Sequence, residues 1–173
     1  MQNVKTIQNN GFIGSHPYNI DSKSRVCVHS EFIDVLDSLY KSEHRSVVTC
    51  LGLNRSIAVY PISRYYEFLE SIQKESILNK NMRYLLNMIL GSASIQTIDS
   101  QNRLRLSDEL LKHAKISSPK EESDKASRAV YEKGFNDRFE IWAVKEWDSF
   151  IENVRDNVDD ISHNLSQSLS AGE

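Results

Sequence analysis

The chain is poor in cysteine, proline and glycine, with two, three and six of them among 173 residues. Two cysteines cannot build a zinc framework, and without a secretory context they indicate no disulfide. Cys27 falls in an alternating stretch and Cys50 lies beside Val47 and Val48, so both are expected as buried free thiols. The first eleven residues are polar and lack the apolar core of a signal peptide. The longest apolar run, around Tyr84-Leu85-Leu86, is broken by Asn87 and is far too short to span a bilayer. A soluble, cytoplasmic protein that does not enter a membrane is the expected class. Catalytic constellations are missing as well. His16, His29, His44, His113 and His163 show no metal-ligand spacing, and no glycine-rich phosphate loop follows a strand. No acid, base and nucleophile converge, so no enzyme, cofactor, metal or small-molecule substrate is expected. Positive charge is also short. The formal charge is −3, and Glu152, Asp156, Asp159 and Asp160 crowd the end, so any nucleic-acid contact must come from local basic groups.

What the chain does have is a repeat. Ile20-Asp21-Ser22-Lys23-Ser24-Arg25 and Ile98-Asp99-Ser100-Gln101-Asn102-Arg103 share the pattern Ile-Asp-Ser-x-x-Arg, at an offset of 99 − 21 = 78 residues. Alternating apolar residues follow each, Val26 and Val28 in one copy and Leu104 and Leu106 in the other. Further on, Ile57-Ala58-Val59-Tyr60-Pro61-Ile62 matches Phe139-Glu140-Ile141-Trp142-Ala143-Val144 at 142 − 60 = 82, so residues were added inside the second copy. Each half reads as a turn-bearing hairpin, a short helix, two strands and an amphipathic helix. This is an α+β fold of two pseudo-symmetric halves with packing helices.

The pattern predicts strands within 12–28, a helix capped by Ser30, and a hairpin of Val47–Leu51 with Ile57–Tyr60 turned at Gly52-Leu53-Asn54-Arg55. Ser63 is placed to cap a helix carrying Tyr65, Phe68, Leu69 and Ile72, and a second helix over about 80–90 should stop at Gly91. Strands at about 95–98 and 104–106, a helix capped by Ser107 or Asp108, strands at about 129–131 and 139–142, and a helix over about 146–158 complete the second half. The organisation is therefore a first repeat at 12–66, connecting helices at 67–90, a second repeat at 91–155 and a disordered tail at 156–173, with an exposed loop at 117–127. Tyr65, Tyr66, Trp142 and Trp147 sit at helix and strand spacing that predicts core packing.

An aspartate that opens a turn can accept backbone N–H bonds from two or three residues on, and it can brace the arginine four residues later through a charge-assisted pair. Asp21 and Asp99 would then aim Arg25 and Arg103 outward in a fixed pose, with Lys23 and Gln101 at the tips. Fixed arginines suit guanine edges, phosphates or a narrow minor groove. Such a pair also closes a turn with no further role, and the turns alone leave both readings open.

Phe12-Ile13-Gly14, the first turn, Val59-Tyr60-Pro61, Leu90-Gly91-Ser92-Ala93-Ser94, the second turn, His113-Ala114 and Phe139-Glu140-Ile141-Trp142 together resemble the MraZ family over about residues 12–155. The resemblance implies two tandem SpoVT/AbrB-like swapped-hairpin repeats. It implies a nucleoid-associated transcription regulator that binds direct repeats in double-stranded DNA at the promoter of the division and cell-wall gene cluster. It further implies ring-shaped homo-oligomers, with Lys23, Arg25, Gln101 and Arg103 on the DNA and Asp21 and Asp99 bracing the turns. The chain departs from the family pattern. Ser24 and Asn102 replace the glycine before each turn arginine, which predicts either left-handed backbone strain at Ser24 or a reshaped first turn. Ile13 replaces an arginine, His29 and Asp108 replace prolines, and 117–128 is an insertion. These changes motivate the alternative of an oligomeric scaffold that kept the fold and lost DNA recognition.

Overall fold

A computed structural model of the chain describes residues 11–76, 79–118, 125–158 and 162. Among them the first half runs β1 (Ser15–Asn19), β2 (Arg25–Cys27), α1 (Ser30–Leu39), β3 (Ser46–Leu51), β4 (Ile57–Pro61) and α2 (Ile62–Ser76). After α3 (Lys80–Ser92), the second half repeats the order with β5 (Ser94–Thr97), β6 (Arg103–Arg105), α4 (Asp108–His113), β7 (Ala129–Gly134), β8 (Phe139–Ala143) and α5 (Val144–Asp156). The repeated element order expected from the sequence is present, with α3 as the extra piece between halves. The described residues form an α+β fold.

The six-stranded sheet has the order β1-β7-β8-β4-β3-β5, every neighbouring pair antiparallel. Replacing each strand by its counterpart in the other half gives the same order reversed, so a pseudo-dyad passes between β4 and β8. The expected hairpin of β3 with β4 forms, in the register Thr49 to Val59. The first turn, however, does not join a paired hairpin. β1 pairs with β7 and β2 with β6, so each strand beside that turn finds its partner in the other half. The physical reason is burial. Pairing β2 with β6 sets Val26 opposite Leu104, and both side chains are fully buried, whereas a local hairpin would separate them.

β4 and β8 are buried at every position because both faces of the sheet are covered. On one face Val47, Ile57, Val59, Val130, Phe139 and Ile141 pack against α1, α4 and the inward side of the β2–β6 ribbon. On the other, Val48, Cys50, Ala58 and Tyr60 meet Tyr65, Leu69 and Ile72 of α2 and Ile89 of α3. Trp142 packs there against Trp147 and Phe150 of α5, with ring centroids 5.3 and 5.2 Å away. Tyr66, expected in the core, is instead 54% exposed, because its neighbour Tyr65 takes the inward side of α2.

Several caps differ from the expected ones. His29, not Ser30, caps α1, its Nδ1 accepting from Glu31 N–H at 3.2 Å. α2 begins at Ile62 rather than after Ser63, because the Glu43 carboxylate takes the Ile62 and Ser63 amides at 2.7 and 3.1 Å. α3 runs through Gly91 to Ser92, since Ala93, not the glycine, ends it. Ser107 caps α4 as expected, at 3.3 Å from Leu110 N–H. Cys50 is buried, but Cys27 is exposed, because alternation on β2 sends Val26 inward and Cys27 outward. The expected tail lies almost wholly outside the described residues, as does much of the 117–127 loop.

Gly134 ends β7 where the chain of residues 12–13 passes over it. A Cβ there would lie 2.4 Å from Phe12 O and 2.5 Å from Ile13 N, and neither backbone atom can yield freely. Gly134→Ala is expected to cost about 1–3 kcal/mol in urea denaturation; an unchanged midpoint would show that residues 12–13 do not pack as described.

Candidate nucleic-acid interface

The two repeated turns have the same geometry. Asp21 N–H donates to Arg25 O at 2.8 Å and Asp99 N–H to Arg103 O at 3.1 Å, closing each turn. Asp21 Oδ1 accepts from Lys23 and Arg25 amides at 2.8 and 2.9 Å, and Asp99 Oδ1 accepts from Gln101 and Arg103 amides at 2.9 Å each. The other carboxylate oxygen takes the guanidinium two-handed: Arg25 Nε and Nη2 lie 2.8 and 2.7 Å from Asp21 Oδ2, and Arg103 Nε and Nη2 both lie 2.8 Å from Asp99 Oδ2. A guanidinium has five N–H groups, so this brace leaves others free for a ligand. Burial pushes the Asp21 carboxyl up, but the hydrogen bonds from Arg25 and Lys23 outweigh it and hold it below its ordinary value. Asp99 is held low chiefly by the Arg103 amide, against a smaller opposing effect of burial. Both braces therefore strengthen the fold at neutral pH and lose that contribution as acid protonates them.

Of the two conformations open to the first turn, the left-handed one occurs. Ser24 has φ of 57° and Asn102 of 59°. This conformation swings each carbonyl across the ribbon: Leu106 N–H donates to Ser24 O at 2.8 Å and Val28 N–H to Asn102 O at 2.7 Å. The repeats thus hold one another at the turns. Burial classes at 17–28 and 95–106 coincide position for position.

In the β2–β6 ladder Arg25 faces Arg105, Val26 faces Leu104 and Cys27 faces Arg103. Since Val26 and Leu104 point inward, Arg25, Cys27, Arg103 and Arg105 share the outward face. The structure thus brings Arg25 and Arg103 to diagonal positions on one short ribbon, with the exposed Lys23 and Gln101 at the turns before them. Sequence reasoning missed Arg105, although its two-residue spacing from Arg103 was signal enough. It also missed Arg45, whose Nη1 donates to Asn102 Oδ1 at 3.0 Å while Nε holds Asp37 at 2.7 Å. That contact spans 57 residues and has no local signature.

A second cluster surrounds the start of α1. His16 and His29 stack at 3.5 Å between ring centroids, 6° from parallel, and His16 Nε2 lies 3.6 Å from Glu31 Oε2. The three residues place nitrogen and oxygen atoms within 4.8 Å of one another. Parallel stacked rings aim their in-plane lone pairs side by side rather than at one point, so the arrangement is not that of a metal centre. Beneath it Glu132 is fully buried, with Oε2 accepting from His29 N–H at 2.9 Å and Oε1 unpartnered. Burial pushes its carboxyl up to about 8. At the equivalent position in the other half stands Thr49, whose Oγ1 takes Gln96 Nε2 at 2.9 Å.

Fold and turns together define a two-repeat α+β protein that carries duplicated, aspartate-braced arginines on a ribbon shared by both repeats. Residues 89–168 match the family model described as "MraZ protein, putative antitoxin-like". The chain is 30% identical to the Transcriptional regulator MraZ of Ureaplasma parvum serovar 3 over 154 residues, covering 89% of this chain and 96% of that one. It is 28% identical to the protein of the same name from Finegoldia magna, over 90% of this chain and 96% of the relative. The chain belongs to the MraZ family, a family of transcriptional regulators and not of enzymes. No helix among the described residues is long and apolar enough to cross a membrane.

Two stability measurements check the site. Left-handed backbone costs serine more than asparagine, so Ser24→Gly is expected to gain about 0.5–1 kcal/mol in urea denaturation. Asn102→Gly is expected to gain nothing, because it gives up the Arg45 contact; equal gains would refute this distinction. Glu132 has a folded pKa above its unfolded value of about 4.3. Its contribution is therefore complete below that pH and is lost as pH rises through about 8. His16, held low by burial and then by His29, acts in the opposite sense, so the variant difference is the clean readout. Glu132→Gln should exceed the unmodified protein in stability at pH 8 by more than about 1 kcal/mol, with the gap closing toward pH 5. A gap independent of pH would contradict a buried, proton-bearing Glu132.

Proposed function

We propose that the chain is a sequence-specific DNA-binding transcription regulator, cytoplasmic and nucleoid-associated, that grips duplex DNA through Arg25 and Arg103. The observation that carries this reading is the matched pair of bidentate braces, which fix two guanidiniums on one outward face and leave donors unused. Lys23 adds a phosphate contact and Gln101 a donor–acceptor pair suited to adenine. The names of the relatives point the same way.

On this reading 12–66 and 91–155 are tandem SpoVT/AbrB-like repeats joined by helices over 67–90, with 156–173 a tail. The strand exchange of β1 and β5 supports it. The protein assembles into a ring and binds direct repeats at the promoter of the division and cell-wall gene cluster. The outermost strands of the sheet among the described residues, β1 and β5, and the exposed Tyr66, Tyr84 and Leu90 offer surface for such self-assembly. A ring multiplies weak individual contacts through effective concentration, which suits a chain of formal charge −3.

The test is a gel shift on the DNA upstream of the chain's own coding region. Arg25→Ala and Arg103→Ala should each weaken binding at least about tenfold, as the loss of one bidentate contact does, with circular dichroism unchanged. Full binding by both variants would reject the assignment; no binding by any form, with assembly intact, would favour the scaffold reading.

A further inference from the structure

We infer that Arg105 is a third DNA-contacting arginine, which takes a backbone phosphate in the cleft beside the first turn and makes the two turns of each chain unequal. The inference rests on the DNA-binding reading above and deepens it. An open cleft of about 770 Å³ is lined by residues that include Lys23, Ser24, Arg25, Gln96, Arg105 and Asp108. Arg105 is exposed and has no hydrogen bond or ion pair among the described residues. It stands directly opposite Arg25 in the ladder. Asp21 already meets the charge of Arg25, whereas that of Arg105 is met by no carboxylate within ion-pair distance among the described residues, so an anion seated between the two arginines would pair with it. A phosphodiester oxygen is the anion a duplex supplies at that place.

The repeat itself provides the control. At the 78-residue offset the counterparts of Lys23, Arg25 and Arg105 are Gln101, Arg103 and Cys27. Three cations with the carboxylates of Asp21 and Asp108 thus stand at the first turn, against one cation with the carboxylate of Asp99 at the second. Arg45, beside that turn, is already held by Asp37. The contrast in bracing assigns the contact type. Arg25 and Arg103 are posed rigidly by aspartates, as base-edge recognition requires, while Arg105 is unbraced and free to follow a backbone phosphate. The first turn is therefore the anchor, and the second contributes recognition with little added charge.

The experiment is fluorescence anisotropy of the full chain on its promoter duplex and on a scrambled duplex, from about 50 to about 200 mM salt. Arg105→Ala is expected to weaken both duplexes by the same factor and to lower the slope of log affinity against log salt by about one per bound chain. Arg105→Lys should restore the slope, since an ammonium serves a phosphate equally. Arg103→Ala should instead weaken the promoter duplex more than the scrambled one. Unchanged affinity and slope in Arg105→Ala, while Arg25→Ala and Arg103→Ala lose binding, would overturn this inference and leave the underlying reading standing. A loss confined to the promoter duplex would also overturn it, by making Arg105 a base reader. Absence of binding by the unmodified chain would end both. Melting of Arg105→Ala at or above the unmodified temperature excludes misfolding as the cause.

Discussion

The redirected carbonyls of Ser24 and Asn102 hold the architecture together. Each sits at a left-handed residue and accepts an N–H from the other repeat, Leu106 in one case and Val28 in the other. An ordinary right-handed or extended residue would aim that oxygen elsewhere, and the ribbon end would keep an unpaired amide beside a buried side chain. The exchange ties the turn of one half to the strand of the other in both directions. It therefore fixes where Val26 meets Leu104 and where the outward arginines emerge. Strand exchange in the large sheet follows the same logic: Ile20 N–H reaches Arg128 O at 3.0 Å and Ile98 N–H reaches Arg45 O at 3.1 Å, again from opposite halves.

On the proposed reading, DNA binding by this scaffold depends on pose rather than on bulk charge. The chain as a whole is mildly acidic, and α5 carries Glu146, Asp148, Glu152 and Asp156. A long-range field would not draw such a protein to DNA. Two aspartates instead hold backbone and guanidinium together, so the side-chain entropy of each arginine is lost at folding and would not be lost again in the proposed binding. The repeat has then been used unevenly. Where β1 meets β7 the pair carries Glu132 and His16, with His29 beside them, whereas the equivalent meeting of β5 with β3 has the neutral Thr49 and Gln96, and the turns differ in charge.

The element order and the turns were legible in the sequence because they are set by neighbours a few residues apart, whereas at Ser24 the sequence left open whether the backbone is left-handed or the turn reshaped. Asp21 and Asp99 announce their turns through spacing alone, and the apolar runs of β4 and β8 announce strands, though not their central place in the sheet. What could not be read locally was pairing between halves. Nothing in 12–28 says that β1 and β2 part company, since the partners lie about a hundred residues away on β7 and nearly eighty away on β6. The Glu43 cap on α2 and the Arg45–Asn102 bond were hidden for the same reason. Arg105 and Cys27 are different: alternation around Leu104 and Val26 already placed both outward, and only the emphasis on the turn motif obscured them. The His16–His29 stack joins β1 to the cap of α1 and had no sequence spacing to reveal it.

Native-state hydrogen exchange at Val28 and Leu106 tests the reciprocal lock most directly. Each amide is expected to exchange only through global unfolding, with one shared opening free energy equal to that of the slowest β4 and β8 amides. Fast, independent opening at either amide would mean that the two repeats are not locked at their turns, and the common pose of Arg25 and Arg103 would lose its physical basis.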